Sequence, residues 1–233
     1  MTTSEFNLSK HARAYQYDYM TVIDNVMPST LCDVLRCRIN KIIEDGKVAW
    51  VSHEGKGNAD VSDAGGRYLH HIFQGDDVRE HLPELTTLYH AVLPLVTAIT
   101  NQDVVVSPHR RSDVNIKVYP AGGGTLGEHY DSNGITALLF LTSNKEAPLR
   151  VQLPRAHPSK QNPWVERRNV YATAGSLLLM KDREVLHDCE PTVTEQKITA
   201  VLNFYTRDDT WRHERFDAFV YEGANPAGTT YAD

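Results

Sequence analysis

The sequence predicts an α+β protein in which an N-terminal helical layer packs on a C-terminal β core. Two stretches in the first hundred of its 233 residues carry apolar side chains at helical spacing. From about residue 103 onward, short β-rich runs alternate with Gly, Pro and Asn, a pattern typical of a sandwich or barrel. The length fits one domain. We divide it into a helical cover with a lid segment (1–102), a β core (103–210) and a C-terminal extension (211–233).

The first predicted helix covers residues 28–46 and has start and stop chemistry at its two ends. Pro28, Ser29 and Thr30 suit the first turn of a helix, and Gly46 suits the position after the last turn. The apolar residues recur every three to four positions, so they would form one buried face. They are Leu31, Val34, Leu35, Ile39, Ile42 and Ile43.

The second helical region covers residues 76–100, where apolar residues again recur near the helical period. Two prolines inside it, Pro83 and Pro94, predict a kink or a break. The segment between the two helical regions, 47–75, is polar and contains five glycines. We expect it to carry a mobile loop that closes over an active site, with GGRYLHHIF as a candidate strand.

The β core is predicted from short runs rich in β-branched and aromatic residues, each bounded by turn-forming residues. Such runs at this spacing favour strands of a closed or double-layered sheet. The runs are DVVVS (103–107), DVNIKVYP (113–120), ITALLFLT (135–142), LRVQLP (149–154), NVYATAGSLLLM (169–180) and ITAVLNFYT (198–206).

Composition narrows the class of protein. The formal net charge is −6 and the pI is about 6.0, so the chain lacks the basic footprint that binds a phosphate backbone. Three cysteines, Cys32, Cys37 and Cys189, make no disulfide framework. The N-terminal sequence does not resemble a secretory signal, and the apolar runs are too short to span a bilayer. We therefore expect a cytoplasmic protein with a small-molecule partner, and no nucleic-acid or membrane partner.

The stretch GEHYDSNG contains a candidate metal-binding pair, His129 and Asp131. Alone, such a pair is more often part of a polar surface turn than a metal site. If it lies on a strand, however, both side chains share one face. His187, which follows the apolar run AGSLLLM, is the candidate third ligand. Two histidines and one carboxylate with open positions are typical of non-haem Fe(II) oxygenases.

A second feature lies ten residues after His187, where Lys197 begins the apolar strand KITAVLNFYT. A lysine is costly to bury on such a strand unless an anion meets it. Thr199 shares its face, so the two would form a carboxylate pocket. The alternative interpretation places Lys197 on an edge strand in solvent and makes Thr199 a simple β-favouring residue.

Residues 113–206 together resemble the iron(II)/2-oxoglutarate-dependent oxygenases. YPAGGGTLGEHYD is similar to the segment of that family that leads into its first two metal ligands. AGSLLLM…VLH is similar to the segment that ends at the family's distal histidine ligand. CEPTVTEQKIT is similar to the segment that carries the basic residue binding 2-oxoglutarate, the 2-oxoglutarate clamp. The resemblance implies a double-stranded β-helix (jelly-roll) core. It also implies an Fe(II) site formed by His129, Asp131 and His187, and O2 as oxidant. By the same resemblance, Lys197 and Thr199, with Tyr119, would bind 2-oxoglutarate, which is decarboxylated to succinate.

Two positions depart from the family pattern. Ala147-Pro148 replaces a usual Gly-Gly, and the clamp is a lysine, which is a point charge, rather than the more common arginine. Asp131 fills the position that related halogenases leave open. The resemblance therefore implies oxygen transfer, most often hydroxylation, rather than halogenation.

The substrate is predicted only in outline. A small polar molecule is expected, with a free amino acid favoured. Asn203 and Tyr205 continue the face of Lys197 and could line the substrate side, whereas Arg67 and Arg150 are candidate anchors for a substrate carboxylate. The alternative for both arginines is ordinary surface charge.

Other functions remain open at this point. The same cofactors could support desaturation or cyclisation in natural-product biosynthesis. A cupin-like metal enzyme would use the three ligands without 2-oxoglutarate, and a degenerate relative would only bind a ligand.

The glycine-rich AGGGTLG segment lacks the Lys-Ser/Thr ending of a phosphate loop, so we do not interpret it as one. We expect the remaining histidines to be structural, with His70 and His71 as candidate exceptions near the lid segment.

Overall fold

A computed structural model of the protein describes residues 7–55, 63–131, 133–154 and 165–209. The predicted C-terminal extension, 211–233, lies outside these residues. Within them, the first half of the chain contains four helices: α1 (Leu8–Asp18), α2 (Ser29–Glu44), α3 (Gly75–His81) and α4 (Pro83–Thr100).

The same residues form twelve strands. The first four are β1 (Met20–Ile23), β2 (Ala49–Gly55), β3 (Asp63–Phe73) and β4 (Val104–Val106). The next four are β5 (Val114–Tyr119), β6 (Leu126–His129), β7 (Ile135–Phe140) and β8 (Asn144–Pro154). The last four are β9 (Val165–Ala172), β10 (Leu177–Met180), β11 (Leu186–Cys189) and β12 (Lys197–Thr206).

The strands form two facing sheets of a double-stranded β-helix. One sheet has the central order β10-β7-β12-β5, and the other has the order β6-β11-β8-β9. From β5 to β12 the chain changes sheet at every step except between β8 and β9, which pair with each other. Strand β1 extends the first sheet at β10, and β3 joins the two sheets between β5 and β6. The predicted α+β class with a jelly-roll core is confirmed.

The main apolar core lies between the first sheet and the helices. On β12, Ile198, Ala200, Leu202 and Phe204 pack into this core. Because side chains alternate along a strand, Lys197, Thr199, Val201, Asn203 and Tyr205 project to the other side, into the barrel. The helical layer thus fixes which face of β12 is available for a site.

Helix α4 supplies one side of that core. Its buried residues are Leu85, Tyr89, Val92, Val96 and Ile99. Tyr89 also connects the two layers by hydrogen bonds. Its hydroxyl donates to the carbonyl of Asn203 at 2.5 Å and accepts from the backbone N–H of Ser107 at 2.8 Å.

The predicted helices lie where expected, with one addition. Helix α2 covers the predicted 28–46 region, and the predicted break falls at Leu82, where α3 and α4 meet at a bend of 112°. Pro94 lies inside α4 without ending it. Helix α1 is absent from the sequence predictions because its only buried residue is Tyr15, which leaves no apolar periodicity to detect.

The described part of the 47–75 segment consists of β2 and β3, which pair antiparallel. The expected mobile loop falls on residues 56–62, which lie outside the described chain. The candidate strand GGRYLHHIF is confirmed and makes up all of β3 except its first two residues. Burial alternates there, with Tyr68, His70 and Ile72 inside, and this is the pattern of a half-buried strand.

Over the described ranges, none of the helices is by itself long and apolar enough to cross a membrane. Only α3 and α4 taken together would reach that length and composition, across their sharp bend.

Candidate metal centre and adjoining pocket

The structure brings together the three predicted metal ligands. His129 ends β6 and is the direct cross-strand partner of His187 on β11, so both rings project from the same side of the sheet. The ring centroids are 4.3 Å apart. Asp131 follows β6, and its Oδ1 lies 3.4 Å from His129 Nε2 and 4.0 Å from His187 Nε2. The three ligand atoms all lie within 4.8 Å of one another.

The backbone orients both imidazole rings. His129 Nδ1 lies 2.6 Å from the carbonyl oxygen of Gly127, and His187 Nδ1 lies 3.0 Å from that of Val185. A carbonyl only accepts hydrogen bonds, so each Nδ1 carries a hydrogen and Nε2 is the atom left for a metal ion. Metal-binding histidines commonly have this arrangement, which fixes the ring orientation.

The charge state of the cluster also suits a divalent cation. Burial, followed by the nearby His129, lowers the pKa of His187 to about 4, so its ring is neutral at pH 7. Burial raises the pKa of Asp131. However, its interactions with His129 and then His187 outweigh burial and hold that pKa well below the usual range. Two imidazole nitrogens and one carboxylate form a donor set suited to Fe(II) and similar first-row metals.

A buried network holds Asp131 in place. Thr136 is fully buried, and its hydroxyl lies 3.0 Å from Asp131 Oδ2 and 3.3 Å from Asn203 Oδ1. Asn133 Nδ2 donates to the same hydroxyl at 2.6 Å, and Asn203 Nδ2 donates to the carbonyl of Ser112 at 2.5 Å. The network occupies Oδ2 of Asp131 and leaves Oδ1 facing the two histidines.

Replacing Thr136 by valine is expected to weaken metal binding by roughly 10–100-fold, the usual effect of losing a partner that orients a ligand. Thr136→Ser keeps the hydroxyl and should retain most of the affinity. The measurement is the Kd for Ni²⁺, together with the melting temperature. Thr142→Val is the matched control, because Thr142 accepts from the backbone of Ile198 away from the cluster and should affect stability alone. An unchanged Kd in Thr136→Val would show that this hydroxyl does not orient Asp131.

Asp182 is a buried acid beside the cluster that the sequence analysis missed. It lies between β10 and β11 and is fully buried. Burial and then the negative charge of Asp131 raise the pKa of Asp182 well above its usual value. The segment MKDREVLH offers no periodicity that would mark this residue, because it lies in a turn.

The predicted carboxylate pocket lies on the interior face of β12. Lys197 is only 2% exposed, and β12 pairs with β5 and β7 on its two sides, so the solvated edge-strand alternative is wrong. Lys197 Nζ donates to the carbonyl of Ala147 at 2.9 Å and lies 5.6 Å from the ring centroid of Tyr119. Thr199 Oγ1 is buried and has no hydrogen-bond partner within the described chain. A buried cation beside an unused hydroxyl and a phenol ring suits a carboxylate.

The glycine-rich AGGGTLG segment forms the turn between β5 and β6. Gly122 and Gly123 adopt φ values of +81° and +122°, which side chains rarely allow. Their N–H groups donate to the carbonyls of Val193 and Thr192 at 2.9 and 2.8 Å. These bonds tie the start of β6 to the segment before β12, so the glycines position the site and do not form a phosphate cradle.

The two arginines predicted as substrate anchors point away from the cluster. Arg150 pairs across the sheet with Asp188, whereas its neighbour Val151 pairs with His187 on the opposite face. The Arg150 guanidinium binds Asp188 and, at 2.8 Å, Glu190. The prediction for Arg150 is therefore corrected, because its charge is used on the outer face of β8.

Arg67 requires the same correction. It is exposed and pairs in register with Glu54, on the face of β3 opposite to Tyr68 and His70. His70 is on the interior side, where its ring centroid lies 5.5 Å from that of Tyr119. The alternation of side chains along β3 thus excludes Arg67 from the pocket and brings in His70 instead.

Asn203 and Tyr205 lie on the predicted interior face of β12, and both are buried. Both ends of the Asn203 amide are used in the network behind Asp131. Tyr205 is 1% exposed, and its ring packs 6.2 Å from that of His109. These contacts give Asn203 a place in the network behind Asp131, and the substrate-binding role of both residues stays a prediction.

Comparisons with known proteins give a consistent fold. No family model and no curated protein matches the sequence. Solved structures do match. SnoK, a non-heme alpha ketoglutarate dependent carbocyclase from nogalamycin biosynthesis, aligns with a TM-score of 0.69 over 97% of this chain and 94% of its own, at 14% identity.

Two further solved structures align over most of their length. HygX from Streptomyces hygroscopicus, with nickel and 2-oxoglutarate bound, has a TM-score of 0.60, covers 91% of both chains and is 11% identical. EctD from S. alaskensis, with 2-oxoglutarate and 5-hydroxyectoine, has a TM-score of 0.60 over 91% of this chain and 81% of its own, at 12% identity. These likenesses confirm the fold implied by the sequence resemblance.

Proposed function

We propose that this protein is an iron(II)- and 2-oxoglutarate-dependent dioxygenase that hydroxylates a small polar molecule. The observation that carries the proposal is the convergence of His129, Asp131 and His187 within 4.8 Å, with the buried Lys197 in the same barrel. The fold shared with 2-oxoglutarate enzymes supports it.

The residues present fit both groups. His129 Nε2, His187 Nε2 and Asp131 Oδ1 would hold Fe(II), since the Nδ1 atoms are occupied by backbone carbonyls and Oδ2 by Thr136. Lys197 and Thr199 would hold the distal carboxylate of 2-oxoglutarate, because a buried ammonium and an unused buried hydroxyl both require such a partner. When bound, iron and 2-oxoglutarate supply the activation of O2, with release of succinate and CO2.

The protein's own contribution is placement and exclusion of water. The network of Thr136, Asn133 and Asn203 keeps Asp131 in one orientation. Val151, the cross-strand partner of His187, belongs with Leu149 and Leu153 to an apolar cluster that would exclude water beside the ligands. A dry, preorganised site strengthens each electrostatic contact within it.

A free amino acid is the substrate class we favour within this proposal. Its support is the polar interior of β5, where Asn115 Oδ1 is buried and has no hydrogen-bond partner among the described residues. Such an acceptor suits the N–H or O–H group of a small polar ligand. EctD, with 5-hydroxyectoine bound, illustrates that this fold can accommodate a small polar molecule. The cytoplasmic location expected from the sequence belongs to the same proposal.

The test is a panel of amino acids and small metabolites, scored for succinate release that depends on the added compound. The compound with the largest stimulation is then turned over in oxygen-18 gas, and the product is weighed by mass spectrometry. We expect a gain of one labelled oxygen atom. His187→Ala should give neither succinate nor label, which excludes a contaminating activity.

The same experiment separates the alternatives. Loss of two hydrogens without label would indicate desaturation or cyclisation and would overturn only hydroxylation. SnoK is described as a carbocyclase, so the fold accommodates that outcome. Turnover of a substrate without any need for 2-oxoglutarate would favour a cupin-like metal enzyme. Failure to bind metal at all would leave a ligand-binding protein.

A further inference from the structure

We propose that Lys117 is a second anion-binding lysine inside the barrel, and that it binds the keto-acid end of 2-oxoglutarate. This inference rests on the proposed function and adds to it. Lys197 binds the distal carboxylate in the proposed function, whereas Lys117 would contact the carboxylate nearest the metal. Lys117 has no role in the predictions made from the sequence.

The strand register places Lys117 beside the pocket. Strands β5 and β12 pair so that Tyr119 lies opposite Lys197 and Lys117 lies opposite Thr199. Cross-strand partners project from the same face, as do residues two apart on one strand. Lys117 therefore projects into the barrel with Thr199 and is one side-chain row further along the sheet than Lys197. That row spacing is roughly 6.8 Å.

The hydrogen-bond network behind Asp131 gives the direction from Lys197 to the metal ligands. Asn203 lies on the interior face of β12 beyond Thr199, and its Oδ1 lies 3.3 Å from the Thr136 hydroxyl, which is 3.0 Å from Asp131 Oδ2. The half-buried Lys117 therefore lies one row closer than Lys197 to the end of the barrel that holds Asp131.

The shape of the ligand then determines which part Lys117 would meet. A molecule with its distal carboxylate on Lys197 and Thr199 has to extend along the interior face of β12 to reach the metal ligands. The register puts Lys117 beside that path, directly opposite Thr199 and one row closer to Asn203 than Lys197 is. A lysine is a flexible point charge with three donors, so it can bind a carboxylate whose other oxygen faces a metal ion.

This arrangement makes a specific claim about recognition. Each carboxylate of 2-oxoglutarate would have its own ammonium group, Lys197 at the distal end and Lys117 at the keto-acid end. A fragment that contains only the keto-acid end would therefore depend on Lys117 and would be indifferent to Lys197. Oxalate is such a fragment, because its two adjacent carboxylates chelate a metal as the keto acid does.

The experiment measures the Kd of 2-oxoglutarate and of oxalate for nickel-loaded protein by calorimetry. The variants are Lys117→Met, Lys197→Met and, as a matched control, Lys145→Met, which replaces an exposed lysine at the start of β8. We expect Lys117→Met to weaken both ligands by roughly tenfold or more, the effect of losing one charge-assisted hydrogen bond. Lys197→Met should weaken 2-oxoglutarate and leave oxalate unchanged, and Lys145→Met should change neither.

The outcomes that overturn the inference are distinct from those that overturn the function. Unchanged oxalate binding in Lys117→Met, with full nickel content, removes Lys117 from the keto-acid end. A loss for 2-oxoglutarate alone would assign Lys117 to the distal clamp and also contradict the inference. If Lys117→Met does not fold, Lys117→Gln gives the same comparison with a polar side chain. Failure of the unmodified protein to bind nickel or 2-oxoglutarate would overturn the proposed function and this inference with it.

Discussion

Replacing His187 by alanine is expected to abolish both metal binding and turnover while leaving a folded chain. The replacement removes one of three ligand atoms and leaves His129 and Asp131 as an incomplete pair. Losing an orienting partner of a ligand already costs roughly 10–100-fold in metal affinity, so losing the ligand should cost more than about 100-fold. His129→Ala should behave in the same way, because its ring lies directly across the strand pair from His187.

The measurement is metal content after dialysis against Ni²⁺ or Fe²⁺, followed by titration and a succinate assay. Far-ultraviolet circular dichroism and the melting temperature report whether the variant folds. His90→Ala is the matched control, since His90 is exposed on α4 and outside the cluster. Near-normal metal affinity in a folded His187→Ala protein would remove His187 from the site and end the proposal of an iron centre.

Replacing Lys197 by methionine is expected to raise the Kd for 2-oxoglutarate by roughly 100-fold or more, since breaking a buried charged pair typically costs roughly 3–5 kcal/mol. Methionine keeps most of the side-chain volume, so the barrel packing is preserved. Lys197→Ala should weaken binding similarly but leaves a cavity beside Tyr119. The measurement is calorimetric titration of the nickel-loaded protein with 2-oxoglutarate.

The same substitution should not lower the stability of the ligand-free protein. Without ligand, the Lys197 ammonium is buried with a carbonyl, a thiol and an aromatic ring, and it forms no ion pair within the described residues. Replacing an uncompensated buried charge by an apolar group is often neutral or stabilising. We therefore expect the melting temperature of Lys197→Met to equal or exceed that of the unmodified protein. Unchanged 2-oxoglutarate affinity, or a large loss of stability, would show that Lys197 is structural.

The parts of this protein that follow from local patterns could be predicted from the sequence. The 28–46 helix was visible because its apolar residues recur at the helical period, and the break in the next helix because Pro83 cannot extend the preceding turn. The interior face of β12 was visible because side chains alternate along a strand. The candidate site could be predicted from the spacing of His129, Asp131, His187 and Lys197 along the chain. These residues fall on or beside strands, and strand geometry fixes which side chains share a face.

Other features were hidden because they depend on which strands become neighbours. Strands β6 and β11 hold both histidines, yet each is four residues long and too short to show a period. Helix α1 was hidden because only Tyr15 in it is buried. Strand β2 was hidden because the glycines and polar residues around it conceal an alternation that only its pairing with β3 makes clear.

The sequence by itself determined the residue types of the site and the faces of the individual strands. Only the tertiary structure decided how those faces combine. Arg150 and Arg67 carry suitable charge, but the strand register turns them to outer faces. Asn203 lies on the correct face but is used behind Asp131, while Lys117 reaches the barrel interior because its strand pairs it with Thr199. Periodicity is a local property that each segment carries alone, whereas register and sheet order are set by long-range packing that no single segment encodes.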